Sequence, residues 1–290
     1  MERFPYLRSV TLASGAQEMN FLLGQKLTCY NNSYPFKLFP TKQLQHLTFA
    51  PVTILYGGNG SGKTTLLNIL AEKAGLLRHS AYNSSAFFAE YVSMCSIDAP
   101  CIPADSQLLT SDDVSDYLLH MRQLNDGIDA RRDSLLEEYT DRKYKDLRFT
   151  SLADYDNWKE GYDAKTKTKS VFVKDRLMRN VNMHSNGETA MKYYVERITE
   201  NALYLIDEPE NSLSAKLQQE LADYIAICAR YDGCQFIIST HSPFLLALPG
   251  AKIYDLDTCP VCQRSWTELE NVRAYYDFFR ANDEAFSHNT

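Results

Sequence analysis

Residues 54–65, Ile54-Leu55-Tyr56-Gly57-Gly58-Asn59-Gly60-Ser61-Gly62-Lys63-Thr64-Thr65, constrain the fold more than any other stretch of the chain. A short apolar run ends in a glycine-rich turn, after which Lys63-Thr64 opens a helical apolar pattern, Leu66-Leu67-Asn68-Ile69-Leu70. The order is strand, loop, helix around G-x-x-x-x-G-K-[ST], framed by Gly57 and Gly62. Glycines allow backbone conformations closed to other residues, so the loop can turn its N–H groups inward. The helix N-terminus behind them completes a nest for phosphate. The spacing places Lys63 at the β- and γ-phosphates and the Thr64 hydroxyl on Mg²⁺. A chance glycine turn is the competing explanation, but four such constrained positions arise in a chain this long on the order of once in a hundred. The stretch reads as a nucleotide phosphate site.

With 290 residues, 44% of them apolar, the chain can bury a substantial core as one large domain or two small ones. The net charge of −7 excludes a global basic field for nucleic acid or anionic membrane, leaving only a local basic groove open. No apolar run reaches the roughly 18 residues of a membrane-spanning helix, and Met1-Glu2-Arg3-Phe4-Pro5 does not begin a signal peptide. Seven scattered cysteines, an odd number, fit reduced thiols in the cytoplasm.

Ahead of the phosphate loop, Arg8–Leu12, Lys26–Tyr30, Phe36–Phe39 and Leu47–Ala50 predict short strands, hence a β subdomain over 1–50. Among its aromatics, Tyr30, Tyr34 and Phe36 could stack on a base, although core packing is the better expectation for each. The loop's helix is expected to end near Leu77. From Ser111-Asp112-Asp113, with a hydroxyl cap and first-turn acids, a helical stripe runs through Val114, Leu118, Met121, Leu124, Ile128, Leu135 and Tyr139. Arg131 and Arg132 interrupt the seam, which favours one packed face over a coiled-coil arm. Residues 141–182 are rich in lysine and arginine, with Asp and Glu mixed in, as in a solvated helical face; a docking surface for phosphates is the sharper alternative.

In the second half, Ala202–Ile206 is a buried-strand run ending in Asp207-Glu208-Pro209. Acids at the carboxyl end of a parallel strand sit where ligands bind in wound sheets. Asp207 is placed to hold Mg²⁺ opposite Thr64, and Glu208 to polarise the attacking water. Pro209 ends the strand. A helix follows from Ser212, then the strand Gln235–Thr240, with His241-Ser242-Pro243 at its end. A turn histidine is the plainer alternative for His241. The strand Ala251–Asp257 and a final amphipathic helix complete the pattern, the helix with Thr267 and Glu270 spaced for a capping box. Cys259-Pro260-Val261-Cys262 supplies only half a zinc site and reads as two incidental thiols.

Taken together, Gly57–Thr64, Ser185-Asn186-Gly187-Glu188, Leu205–Pro209 and His241 resemble the Walker A, signature, Walker B and switch-histidine motifs of ABC-type ATPases, in the right order. The wording Gly-Gly-Asn-Gly-Ser-Gly-Lys-Thr, Asp-Glu-Pro-Glu-Asn-Ser-Leu-Ser and Ile-Ile-Ser-Thr-His-Ser-Pro-Phe is similar to that of small soluble bacterial AAA-family ATPases, relatives of SMC and OLD-type ATPases. The resemblance implies a P-loop α/β fold of the ABC-ATPase type in one domain. It comprises the antiparallel β subdomain (1–50), a core (51–79 and 183–258), a helical insertion (80–182) and a C-terminal helical tail (259–290). It implies a head-to-tail homodimer sandwiching ATP and Mg²⁺. The nucleotide would be held by Gly57, Gly58, Asn59, Gly60, Ser61, Gly62, Lys63, Thr64 and Thr65, and by Ser185, Gly187 and Glu188 from the other copy. Thr64 and Asp207 would hold the metal, Glu208 would be the general base, and His241 and Lys63 would act at the γ-phosphate. Asn211-Ser212-Leu213 matches the loop crossing the dimer seam.

Four departures from the family pattern stand out. No glutamine between Leu77 and Ser111 suits a Q-loop, His184 replaces the usual signature leucine, and neither a toprim-like acidic cluster nor a long coiled coil is present. The expected function is a cytoplasmic ATP-driven switch for a separate effector, in DNA maintenance or phage defence, with nucleic acid left open and no membrane insertion. The alternatives are the nucleotide-binding subunit of a membrane transporter and a non-hydrolysing ATP sensor.

Overall fold

The computed structural model describes residues 5–25, 32–82, 84–144, 155–178 and 185–287, leaving aside the side chains of 155–158, 160, 161 and 287. The chain divides into two compact units, 1–115 with 186–290, and 116–185.

The first unit begins with β1 (Ser9–Thr11), α1 (Gly15–Leu23) and β2 (His46–Thr48). Then come β3 (Val52–Tyr56), α2 (Lys63–Ala74), α3 (Phe88–Met94), β4 (Ser96–Asp98) and β5 (Gln107–Thr110). The long α4 (Ser111–Tyr144) runs from this unit into the second, which continues with α5 (Tyr155–Thr166) and α6 (Lys169–Lys174). The first unit resumes with α7 (Asn186–Arg197), β6 (Leu203–Asp207), α8 (Ala215–Tyr231), β7 (Gln235–Ser239) and α9 (Pro243–Leu246). It closes with β8 (Lys252–Asp255), β9 (Cys262–Gln263), α10 (Glu270–Ala281) and α11 (Asp283–Ser287).

The main sheet has the order β5-β6-β7-β3-β8-β9, parallel except for β9. Every residue of β3, β6 and β7 is buried, as continuous apolar runs covered on both faces require. Because β7 lies between β3 and β6, the strand ends carrying Tyr56, Ser239 and Asp207 meet at one edge of the sheet. A smaller antiparallel sheet, β2-β1-β4, pairs Val10 with Leu47 and Ile97.

Several expectations change. Residues 15–23 are a helix, held by a Ser14–Gln17 capping box, so the segment before β2 is not all β. Residues 36–39 form turns rather than a strand, and Phe36 is buried among Phe21, Phe87 and Tyr91, as core packing predicts. The expected strand at 26–30, with Tyr30, lies outside the described residues. Strands β4 and β5 fall inside the stretch 80–182 and join the two sheets, so the helical unit starts only at Asp116. Helix α4 is capped by Thr110, whose hydroxyl and N–H exchange hydrogen bonds with Asp113. The C-terminal capping box is Ser265–Glu268, on a 3₁₀ turn, not Thr267–Glu270.

The helical unit has a core of its own, Leu135, Tyr139, Ala164, Phe172 and Val173. Two of its basic residues are paired within the unit: Lys167 with Asp163 and Asp175, and Arg176 with Asp163. Lys145, Arg148 and Arg179 lie outside the described residues.

Candidate functional site

The phosphate loop is the turn between β3 and α2. Gly60 and Gly62 take φ of +80° and +99°, conformations that favour glycine, and α2 starts directly behind them. Asn59 to Thr65 and Glu208 line a cleft of about 310 Å³, which brings Asn59, Gly60, Ser61, Gly62, Lys63, Thr64 and Thr65 together as expected. Gly57 and Gly58 join through their carbonyls: the buried Lys63 ammonium donates to Gly57 O at 2.6 Å and to Gly58 O at 3.2 Å. It also donates to His241 Nε2 at 2.9 Å and stands 3.5 Å from Glu208 Oε1. His241 Nε2 in turn is 3.7 Å from Glu208 Oε1. Residues 63, 208 and 241, remote in sequence, thus meet around one point.

The strand ends explain the convergence. Asp207 and Ser239 are direct neighbours across β6 and β7, and the Ser239 hydroxyl donates to Asp207 Oδ1. The Thr64 hydroxyl also lies on the Asp207 side. Burial raises the Asp207 carboxyl above its usual range, opposed by the hydroxyls of Ser239 and Thr64. A buried carboxylate beside a threonine hydroxyl is a hard-oxygen pair suited to Mg²⁺, which completes its shell from phosphate and water. Among the described residues no group of three or more His, Cys, Asp or Glu could hold a metal without such help, and Cys259 and Cys262 do not form one.

Glu208 adopts a left-handed conformation, φ 45° and ψ 56°, unusual for a residue with a side chain. Its N–H is tied to Ser239 O at 2.9 Å and its Oε2 accepts from Asn211 at 3.2 Å, so the carboxylate is aimed rather than free. Burial first, and then the Lys63 charge, push the His241 pKa below its ordinary value. A neutral imidazole agrees with Nε2 accepting from Lys63.

Gly187 and Glu188 stand in the first turn of α7, at whose start Asn186 follows the exposed Ser185. A Cβ on Gly187 would meet Leu217 Cδ1 at 2.7 Å, so the backbone there approaches α8 closely. Gly187 and Glu188 do not line the phosphate cleft of their own unit. His184 lies outside the described residues. Gln107, the glutamine between Leu77 and Ser111, begins β5 and donates to Arg197 O, well away from the strand ends. Tyr34 donates to Thr65 Oγ1 at 2.8 Å and stacks near Phe88, so it braces α2.

Two residues escape a reading by motif. Asp257, just beyond β8, accepts the Gly58 N–H at 2.6 Å, a bond across 199 positions that no spacing signals. Glu210 accepts the His241 N–H at 2.5 Å. It sits in Asp207-Glu208-Pro209-Glu210, whose second glutamate was the available hint.

Residues 188–247, from the signature glutamate through Walker B and the switch histidine, match a family model described as AAA domain, putative AbiEii toxin, Type IV TA system. The chain has a P-loop α/β fold, a mainly parallel sheet with the glycine-rich loop between β3 and α2. Among solved structures it is similar to an SMC head domain from Pyrococcus furiosus bound to the C-terminal domain of ScpA, at 13% identity and TM-score 0.42, over 95% of this chain and 99% of that one. A nucleotide-free ATP-binding cassette from an ABC transporter is similar at 13% identity and TM-score 0.38, over 79% of this chain and 87% of that one. A dimeric cassette bound to ADP and phosphate is similar at 13% identity and TM-score 0.33, over 77% and 90%. No curated protein sequence matches the chain. Among the described residues, no helix is long and apolar enough to cross a membrane.

Proposed function

We propose that the chain binds ATP with Mg²⁺ and hydrolyses it, and that this drives a head-to-tail homodimer acting as a switch for a separate effector. The observation that carries the reading is the convergence of Lys63, Glu208 and His241 within 3.7 Å of one another at the phosphate loop. Lys63 would exchange its loop carbonyls for the β- and γ-phosphates, joined by the inward N–H groups of the loop. Mg²⁺, held by Thr64 and Asp207 when bound, neutralises phosphate charge. Glu208 would accept the proton of the attacking water and His241 would orient it at the γ-phosphate. Ser185, Gly187 and Glu188 of a second copy would close the nucleotide in, an arrangement favoured by the exposed start of α7.

The effector reading, in defence or DNA maintenance, draws support from the family description of residues 188–247. A purely sensing role has less support, because a sensor needs no aimed carboxylate like Glu208.

The test is Glu208→Gln. Removing one preorganised transition-state group costs ~3–4 kcal/mol, so ATP affinity should persist while turnover falls at least roughly a hundredfold. Wild-type turnover by that variant would remove Glu208 as the base. Capture from the native host with ATP then identifies the effector, and a membrane permease as the captured partner would move the protein to transport.

A further inference from the structure

The peptide groups flanking His241 are fixed from two directions. Its N–H donates to Glu210 Oε1 at 2.5 Å, and its carbonyl accepts from Asn271 Nδ2 at 3.0 Å. Asn271 is the second residue of α10, the C-terminal helix that lies beyond every motif of the ATPase. Its own N–H is one of those a first helical turn leaves without an intrahelical acceptor. That N–H donates to the Tyr56 hydroxyl at 3.1 Å. Tyr56 ends β3, one residue before Gly57, and its ring meets the His241 imidazole at 6.2 Å in an edge-on arrangement.

One asparagine therefore touches both the strand that feeds the phosphate loop and the loop that carries the switch histidine. The next turn is anchored separately, by Ser242 on Thr240 and Gln218, so Asn271 acts on the His241 peptide in particular. The helix is seated by buried Leu269 and Val272, while Tyr275, Tyr276, Phe278 and Phe279 are exposed. Its register on the sheet edge thus rests on few contacts, of which Asn271 makes two.

We propose that Asn271 is a positioning residue for His241, through which the seating of the C-terminal helix sets the rate of ATP hydrolysis. This rests on reading the site as an ATPase. A side chain displaced by one lost hydrogen bond aims its imidazole poorly, and small misplacements cost rate far more than binding.

The experiment compares Asn271→Ala, His241→Ala and the double variant in the full-length chain, reading ATP turnover and amide hydrogen exchange at residues 240–242. Asn271→Ala should lower kcat about tenfold, keep KM for ATP within about twofold, and speed exchange at 240–242. In the His241→Ala background it should have no further effect on kcat, because the residue acts through that ring. Asn271→Asp, of the same size but lacking the donor, should show the same loss of kcat and serves if the alanine variant does not fold. Unchanged kcat, an equal further loss in the His241→Ala background, or unchanged exchange would each overturn the proposal. Should the wild type not turn over ATP at all, the ATPase reading falls on its own, and exchange at 240–242 still decides whether Asn271 holds His241.

Discussion

Lys63 meets two carbonyls, an imidazole and a carboxylate, so its buried charge is satisfied within the fold. Lys63→Ala should abolish detectable ATP binding in a fluorescent-nucleotide titration, and unchanged affinity would count against the phosphate-loop role. The same ammonium helps hold His241 neutral, which predicts a pH dependence. The folded-state pKa of His241 lies below the unfolded value of about 6.5. The folded protein therefore binds that proton less readily, and the group's contribution to stability is present above about 6.5 and lost as pH falls through the folded value. Activity has the same sign: kcat/KM, which reports on the free enzyme, should hold above about 6.5 and fall on the acid side, and His241→Ala should lose that limb. Asp207 runs the other way. Burial raises its carboxyl, so ionised Asp207 is a burden on the fold near neutral pH. Asp207→Asn should raise the Tm of the nucleotide-free protein by about 2 °C and remove the Mg²⁺ dependence of ATP binding, as measured by thermal shift with and without Mg²⁺-ATP.

At the scale of elements, the site is made by ends rather than by middles. The turn after β3 supplies the nest, the turn after β6 supplies Glu208 in a left-handed conformation, and the turn after β7 supplies His241. Strain of this kind persists where the surroundings over-determine it, here through the Glu208 N–H bond to Ser239 and the following 3₁₀ turn at Pro209. Gly62 constrains the loop where it meets the helix. It caps α2 at φ +99°, and a Cβ there would stand 3.1 Å from Leu38 Cδ2. Gly62→Ala should cost about 1–2 kcal/mol in urea unfolding and weaken ATP binding as the loop shifts.

For the whole molecule, the division into two units has a consequence for unfolding. The helical unit carries its own core, in which Phe172 is 1% exposed and packs on Tyr139. Phe172→Ala should cost that unit about 3–5 kcal/mol while the ATP affinity of the first unit is retained, seen as loss of exchange protection confined to 116–178.

The place of the candidate site was legible in the sequence because its residues are written locally, at strand ends. A phosphate loop needs its glycines, lysine and threonine at fixed offsets, and Asp207-Glu208 needs only a buried strand before it. The β3, β6 and β7 strands were legible for a similar reason, since strands buried on both faces read as unbroken apolar runs. The turns at 36–39 and the helix at 15–23 were not, because short apolar alternations do not distinguish a strand from a segment whose side chains are claimed by distant aromatics. What tertiary structure alone decided is which remote residues brace the site. Asp257 on Gly58, Glu210 and Asn271 on His241, and Tyr34 on Thr65 join positions separated by 30 to 200 places. Such bonds depend on strand order: once β7 lies between β3 and β6, and β8 on the far side of β3, Asp257, Glu210 and Asn271 fall within reach of backbone groups that must be paired.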